Sequence, residues 1–214
     1  MDRREALKKI GLGAGFLVMG PSALNLLQSC AREGKASWEP VFLNPKSAFA
    51  LEEILEVILP TTDTPGAKDL GIAYFLDTYM DQVAGEQQQL DFRHGAEAFT
   101  SLFEQEFNKG ILEGEPQEFE ELVARMLKAA PEEREEFARR STETQDPMDE
   151  NPQEEADPAP GAYAYMQSVR SLGIWAWKNS EAIGEEVMWY DPIPGQYIPC
   201  GPVDEFGNGK AMSL

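Results

Sequence analysis

Apolar residues recur every three or four positions through most of this chain, and that spacing commits it to helices. After Asn44-Pro45, a helix cap followed by proline at the first helical position, Phe49, Leu51, Ile54, Leu55, Ile58 and Leu59 line one face up to Pro60. Ile72, Phe75, Leu76, Tyr79, Met80 and Val83 repeat the pattern. So do Leu90, Ala96, Phe99, Leu102, Phe103 and Phe107 within 86–109, where Gly110 supplies a stop. A fourth helix is expected over 117–130 from Phe119, Leu122, Val123, Met126 and Leu127. A short fifth opens at Pro131, with four glutamates early and Arg139 and Arg140 late, an order that suits the helix dipole. Tyr163, Met166, Val169, Ile174, Trp175 and Trp177, then Ile183 and Val187, predict one long helix and one short one. Strand-like alternation is nearly absent, so the expected class is all-α. One helical domain of about six to seven helices spans 45–190, carries an acidic loop at 141–160 that has too few apolar residues to bury, and ends in an extended Pro/Gly-rich tail at 191–214.

Charge is distributed unevenly along the 214 residues. The whole chain has 38 acidic and 18 basic residues and a formal charge of −20, which disfavours nucleic acid as a partner. Yet Arg3, Arg4, Lys8 and Lys9 crowd the start, and Ile10 to Leu27 follow without a charge, the layout of an export signal. Six interruptions by Gly, Pro and Asn make that stretch unsuitable for a permanent membrane span. DRREALK resembles the twin-arginine export motif through Arg3, Arg4, Leu7 and Lys8, with Asp2 and Ala6 departing from it, and such a leader implies export of a folded protein. Leu27-Gln28-Ser29-Cys30 looks like a lipobox, in which Cys30 becomes the lipid-modified first residue of the mature protein. Residues 1–29 are then a signal, 30–44 a linker that Trp38 and Phe42 fasten to the body, and the expected location is the periplasmic side of the cell envelope, held to a membrane by lipid. Gly11-Leu12-Gly13-Ala14-Gly15 is not a dinucleotide loop, since its third glycine is misplaced and no strand precedes it.

Residues able to do chemistry are few. The single histidine, His94, sits mid-helix, and Cys30 and Cys200 are too few and too distant for a disulfide framework or thiolate metal site, so no metal is expected. No serine-nucleophile motif, phosphate loop or haem attachment motif occurs, and no catalytic residue is assigned. Glu52-Glu53, Glu120-Glu121 and Glu185-Glu186 read as solvated helix faces in so acidic a chain. A hydrolase built on two carboxylates would need such acids paired in a cleft.

Two segments are not explained by solvation. Pro60-Thr61-Thr62-Asp63-Thr64-Pro65-Gly66-Ala67 packs hydroxyls, a carboxylate and turn formers between two apolar helices. It is either a helix–helix turn, with Asp63 or Thr64 capping the next helix, or a ligand loop. Asp191-Pro192-Ile193-Pro194-Gly195-Gln196-Tyr197, after Trp189 and Tyr190, is an extended strip that suits docking on another protein or folding back over its own core.

Taken with the leader, ILPTTDTPGAKDLG and GEEVMWYDPIPGQYIPC resemble the gluconate 2-dehydrogenase subunit 3 family, small subunits of membrane-bound, flavin-dependent sugar or polyol dehydrogenases. The resemblance implies an accessory subunit rather than a catalyst. It implies a large subunit of the glucose-methanol-choline type that holds FAD, with no cofactor in this chain, and it allows a cytochrome c subunit as electron acceptor. On it, Thr61, Thr62, Asp63, Pro65 and Gly66, and Tyr190, Asp191, Pro192, Pro194, Gly195 and Tyr197, become candidate partner-binding residues. The lipobox and the acidic insert depart from the simple family pattern. The alternative is a free-standing lipid-anchored sugar-binding protein, with Trp175, Trp177 and Trp189 lining a pocket.

Overall fold

Asn44 caps the first helix as its sequence demands, its Oδ1 accepting from the Ser47 amide at 3.0 Å with Pro45 in the first turn. That helix, α1 (Pro45–Ile58), is buried along nearly its whole girth and is therefore the centre of the bundle. This computed structural model describes residues 36–143, 157–193, 195, 200–202, 204, 205 and 207–213. Around α1 stand α2 (Ile72–Gln82), α3 (Glu86–Phe107), α4 (Pro116–Leu127) and α6 (Ala159–Lys178), while α5 (Pro131–Glu143) packs on α6. A 3₁₀ turn at Ile111–Glu113 leads into α4, and a π-helical turn at Ala182–Val187 follows α6. Among the described residues there is one isolated parallel bridge, Trp189 to Met212, and otherwise no strand pairing. The chain is all-α, as its periodicity requires.

The core is held by large rings and close helix contacts. Phe49 meets Phe119 edge-on at 5.8 Å, Phe119 stacks on Phe103 at 4.7 Å, and Phe92 meets Tyr165 at 5.0 Å. The α3–α6 pair is the most extensive contact because Gly95 lies against Tyr165: a Cβ there would stand 2.7 Å from the Tyr165 Cβ. A Pro116 start and a reciprocal Glu115–Glu118 capping box open α4. The Phe137–Tyr163 ring pair and the Arg140–Asp157 ion pair at 2.9 Å tie α5 and the start of α6 together.

Several sequence expectations change here. The described part of the predicted linker, 36–44, is a strap bonded to the body. The fully buried Asp77 carboxylate accepts the amides of Val41 (2.7 Å), Leu43 (2.9 Å) and Phe42 (3.3 Å). Glu52, expected in solvent, is buried and accepts from the Ser37 amide at 3.1 Å and from its hydroxyl. Glu53 is buried too and pairs with Lys68 Nζ at 3.0 Å. Both are exceptions allowed because each carboxylate has a partner, whereas Glu120, Glu121, Glu185 and Glu186 are exposed as expected. Phe75 on α2, and Val83 just past its end, face solvent instead of the core, since Leu76, Met80 and Asp77 occupy the inward positions, and Leu90 on α3 is exposed. The acidic loop is shorter than 141–160 at both ends, because α5 runs to Glu143 and α6 begins at Ala159. In the tail, the Trp189 amide donates to the Ala211 carbonyl (2.8 Å) and the Ser213 amide to the Trp189 carbonyl (2.7 Å), so the described end turns back on the chain. Arg3, Arg4, Leu7, Lys8, Cys30, Pro194 and Tyr197 lie outside the described residues.

Buried polar groups with and without partners give a paired test. Asp77→Ala orphans three amides and is expected to cost about 3 kcal/mol or more of unfolding free energy. The Tyr165 hydroxyl is buried with no partner, so Tyr165→Phe should be neutral or stabilising by up to about 1 kcal/mol. Urea denaturation of the two variants beside the parent checks both signs.

Candidate functional site

The connection between α1 and α2 is knitted from within. Where α1 ends, the Ala67 amide donates back to the Leu59 carbonyl at 2.8 Å, closing the loop at its base, and the Thr62 amide donates to the Thr64 carbonyl at 3.0 Å. Asp69 does most of the remaining work. Its Oδ2 accepts from the Thr61 hydroxyl at 2.6 Å and from the Gly66 amide at 2.8 Å. Gly66 must be glycine for space, since a Cβ would stand 2.5 Å from the Thr61 nitrogen and 2.8 Å from the Pro60 carbonyl carbon. From the far end of the sequence, the Trp177 indole N–H donates to the Pro65 carbonyl at 2.8 Å and fixes the loop to α6.

Thr61, Thr62 and Asp63 project into solvent from this framework, Pro65 is half-buried and Gly66 is buried. The hydroxyl and amide donors hold the Asp69 carboxyl below its ordinary range, the Thr61 hydroxyl contributing most and the Gly66 amide next. Asp69 is therefore ionised at neutral pH and acts as an acceptor only. The expected helix cap at Asp63 or Thr64 is not found: α2 starts after Gly71, in the left-handed region at φ 61°, with no side-chain cap. Asp69 escaped the sequence reading because helical periodicity does not mark it. The available signal was a carboxylate within a turn-rich run just after a glycine.

The second candidate segment leaves the same end of α6, through the π-helical turn. Tyr190 is exposed, Asp191 half-buried, and Pro192, Ile193 and Gly195 exposed; Ile193 keeps 85% of its surface in solvent. Trp177 thus binds the first segment at the C-terminal end of α6, and the second begins at Tyr190, twelve residues beyond Lys178.

The three tryptophans proposed for a sugar pocket have three separate occupations, which corrects that expectation. Trp177 holds the loop, Trp175 lies at the surface beside Phe75 and Tyr79, and Trp189 pairs with the tail. A hollow of about 1150 Å³ lies along α3 and α6 and is edged by Gln87, Asp91, His94, Glu97, Gln105 and Gln167, without any of these tryptophans. His94 is exposed there. Among the described residues no three His, Cys, Asp or Glu side chains gather as for a metal ion, and no helix is long and apolar enough to cross a membrane.

Comparison with known proteins supplies the remaining finding. Residues 45–195 match the family model described as "Gluconate 2-dehydrogenase subunit 3", a span that starts at the α1 cap and ends in the second candidate segment. No curated protein and no solved structure matches the chain.

Asp69→Asn should loosen the loop while leaving the bundle intact. Hydrogen exchange at the Gly66 amide is expected to rise by at least about fivefold, with α3 and α6 unchanged. Because the carboxyl is depressed in the folded state, its contribution is present above the ordinary aspartate range and is lost only as pH falls through the lower folded value. NMR titration of the Asp69 carboxyl carbon should show that displaced midpoint.

Proposed function

We infer the role of this chain from the family to which it belongs, gluconate 2-dehydrogenase subunit 3, whose members are subunits of a dehydrogenase complex. We propose that it is a non-catalytic accessory subunit that binds and stabilises a flavoprotein large subunit of the glucose-methanol-choline type. FAD belongs to that partner on this reading, and a cytochrome c subunit is the natural electron acceptor. Arg3 and Arg4 supply a twin-arginine export signal for the assembled pair, and Cys30 carries the lipid that holds it on the periplasmic side of the envelope.

The observation that carries the proposal is the family match over the folded body, which includes the 60–67 loop and the second candidate segment as far as Gly195. The loop's chemistry supports it. The carboxylate best placed to act in that loop, Asp69, is committed to holding the backbone, while Thr61, Thr62 and Asp63 stand outward on a framework that costs little entropy to order. Tyr190, Pro192 and Ile193 add an exposed apolar strip suited to a partner's surface.

Affinity purification of the tagged chain from solubilised membranes should bring down a larger protein with flavin absorbance. Replacing both Arg3 and Arg4 by lysine should leave most of the flavoprotein in the cytoplasm. A chain that emerges alone and without flavin, or a partner exported normally beside the double-lysine variant, contradicts the proposal.

A further inference from the structure

Helix α2 presents two sets of apolar side chains. Ile72, Ala73, Leu76 and Met80 are buried, but Tyr74 and Phe75 keep 54% and 42% of their surface in solvent. Trp175 of α6, 45% exposed, completes an aromatic face with Phe75 and half-buried Tyr79: its ring centroid is 5.8 Å from each, and theirs are 6.2 Å apart. An exposed, mutually packed aromatic group is unusual on a chain this acidic.

The strap runs past one edge of that face, at Tyr74. Asp77, on α2, fixes residues 41–43, and Val41 itself is exposed. Ser37 and Trp38 share a small hollow with Tyr74, and Glu52 holds Ser37 there. Cys30 lies six residues before Ala36. Six peptide links span at most about 20 Å. A lipid on Cys30 therefore keeps the start of the strap within that reach of the bilayer, and two buried carboxylates bind the strap to the body.

We propose that Tyr74, Phe75, Tyr79 and Trp175 form a membrane-resting face that sits in the headgroup layer of a zwitterionic lipid surface. This rests on the reading of Cys30 as acylated and adds the orientation of the body to it. Tryptophan and tyrosine favour that layer because their rings are apolar and their N–H and O–H groups stay hydrated. The mature chain from Cys30 onward has a formal charge of −22, which disfavours anionic lipid and selects a zwitterionic surface. Trp175 and Trp177 point about 200° apart around α6. Thr62, in the loop held by Trp177, is exposed and is not part of this aromatic group.

The test uses the full lipidated protein with any co-purifying partner retained, in a Cys200→Ser background. Phe75→Cys, Tyr74→Cys and, as control, Thr62→Cys are each labelled with an environment-sensitive fluorophore and placed in phosphatidylcholine vesicles carrying a headgroup nitroxide. Labels at 74 and 75 should shift to the blue and be quenched about threefold more than the label at 62. Equal quenching at all three positions, with Cys30 shown to be acylated by mass spectrometry and the partner present, overturns this inference and leaves the subunit reading standing. A blue shift that needs the flavoprotein and ignores the vesicle makes the face a protein interface and also overturns it. An unmodified Cys30 removes the membrane orientation together with the anchor.

Discussion

One buried carboxylate organises the N-terminal side of this protein. Asp77 has no exposed surface, and it is tolerated in the core because three consecutive backbone amides of the strap point at it. The dependence runs both ways, since those amides have to be satisfied somewhere once the strap crosses the body. With residues 41–43 fixed, Asn44 stands where it must to cap α1, and α1 enters the bundle as its axis. Glu52 repeats the device at Ser37 and Glu53 at Lys68. Three buried carboxylates of this acidic chain thus each answer a donor.

The same economy appears in the loop between α1 and α2. Asp69, Gly66 and Trp177 spend their polar groups inward, on the Thr61 hydroxyl, on backbone and on the Pro65 carbonyl. What remains outward is a short run of hydroxyl, carboxylate and proline on a stiff base. Such a surface is suited to recognition, because little conformational entropy is left to lose on docking. The family match makes a dehydrogenase complex the setting in which that recognition belongs.

Helices were legible from the sequence because a 3.6-residue repeat survives whatever packs against it: the Asn44-Pro45 and Pro131 starts fall where local chemistry puts them, and α4, expected over 117–130, runs from Pro116 to Leu127. Legibility stopped where a residue's environment is set by a distant segment. Nothing near Glu52 in sequence indicates that Ser37 will land on it, so charge alone put it in solvent. Phe75 and Leu76 are adjacent and equally apolar, and only the helices packed against α2 decide that one is inside and the other out. Tryptophans 175, 177 and 189 look like a set in sequence, but about 200° of helix separates the first two and a turned-back tail claims the third. The family resemblance rested on the loop and tail motifs, and these are the parts whose roles local periodicity does not explain.

The central claim is that the fold holds the 60–67 loop and the 189–195 segment ready for a partner subunit. Hydrogen exchange measured on the chain alone and on the membrane-purified complex tests it most directly. The account predicts slowed exchange in those two segments on assembly, with the α1 and α3 cores unchanged. Exchange in both segments that is the same with and without the partner would contradict it.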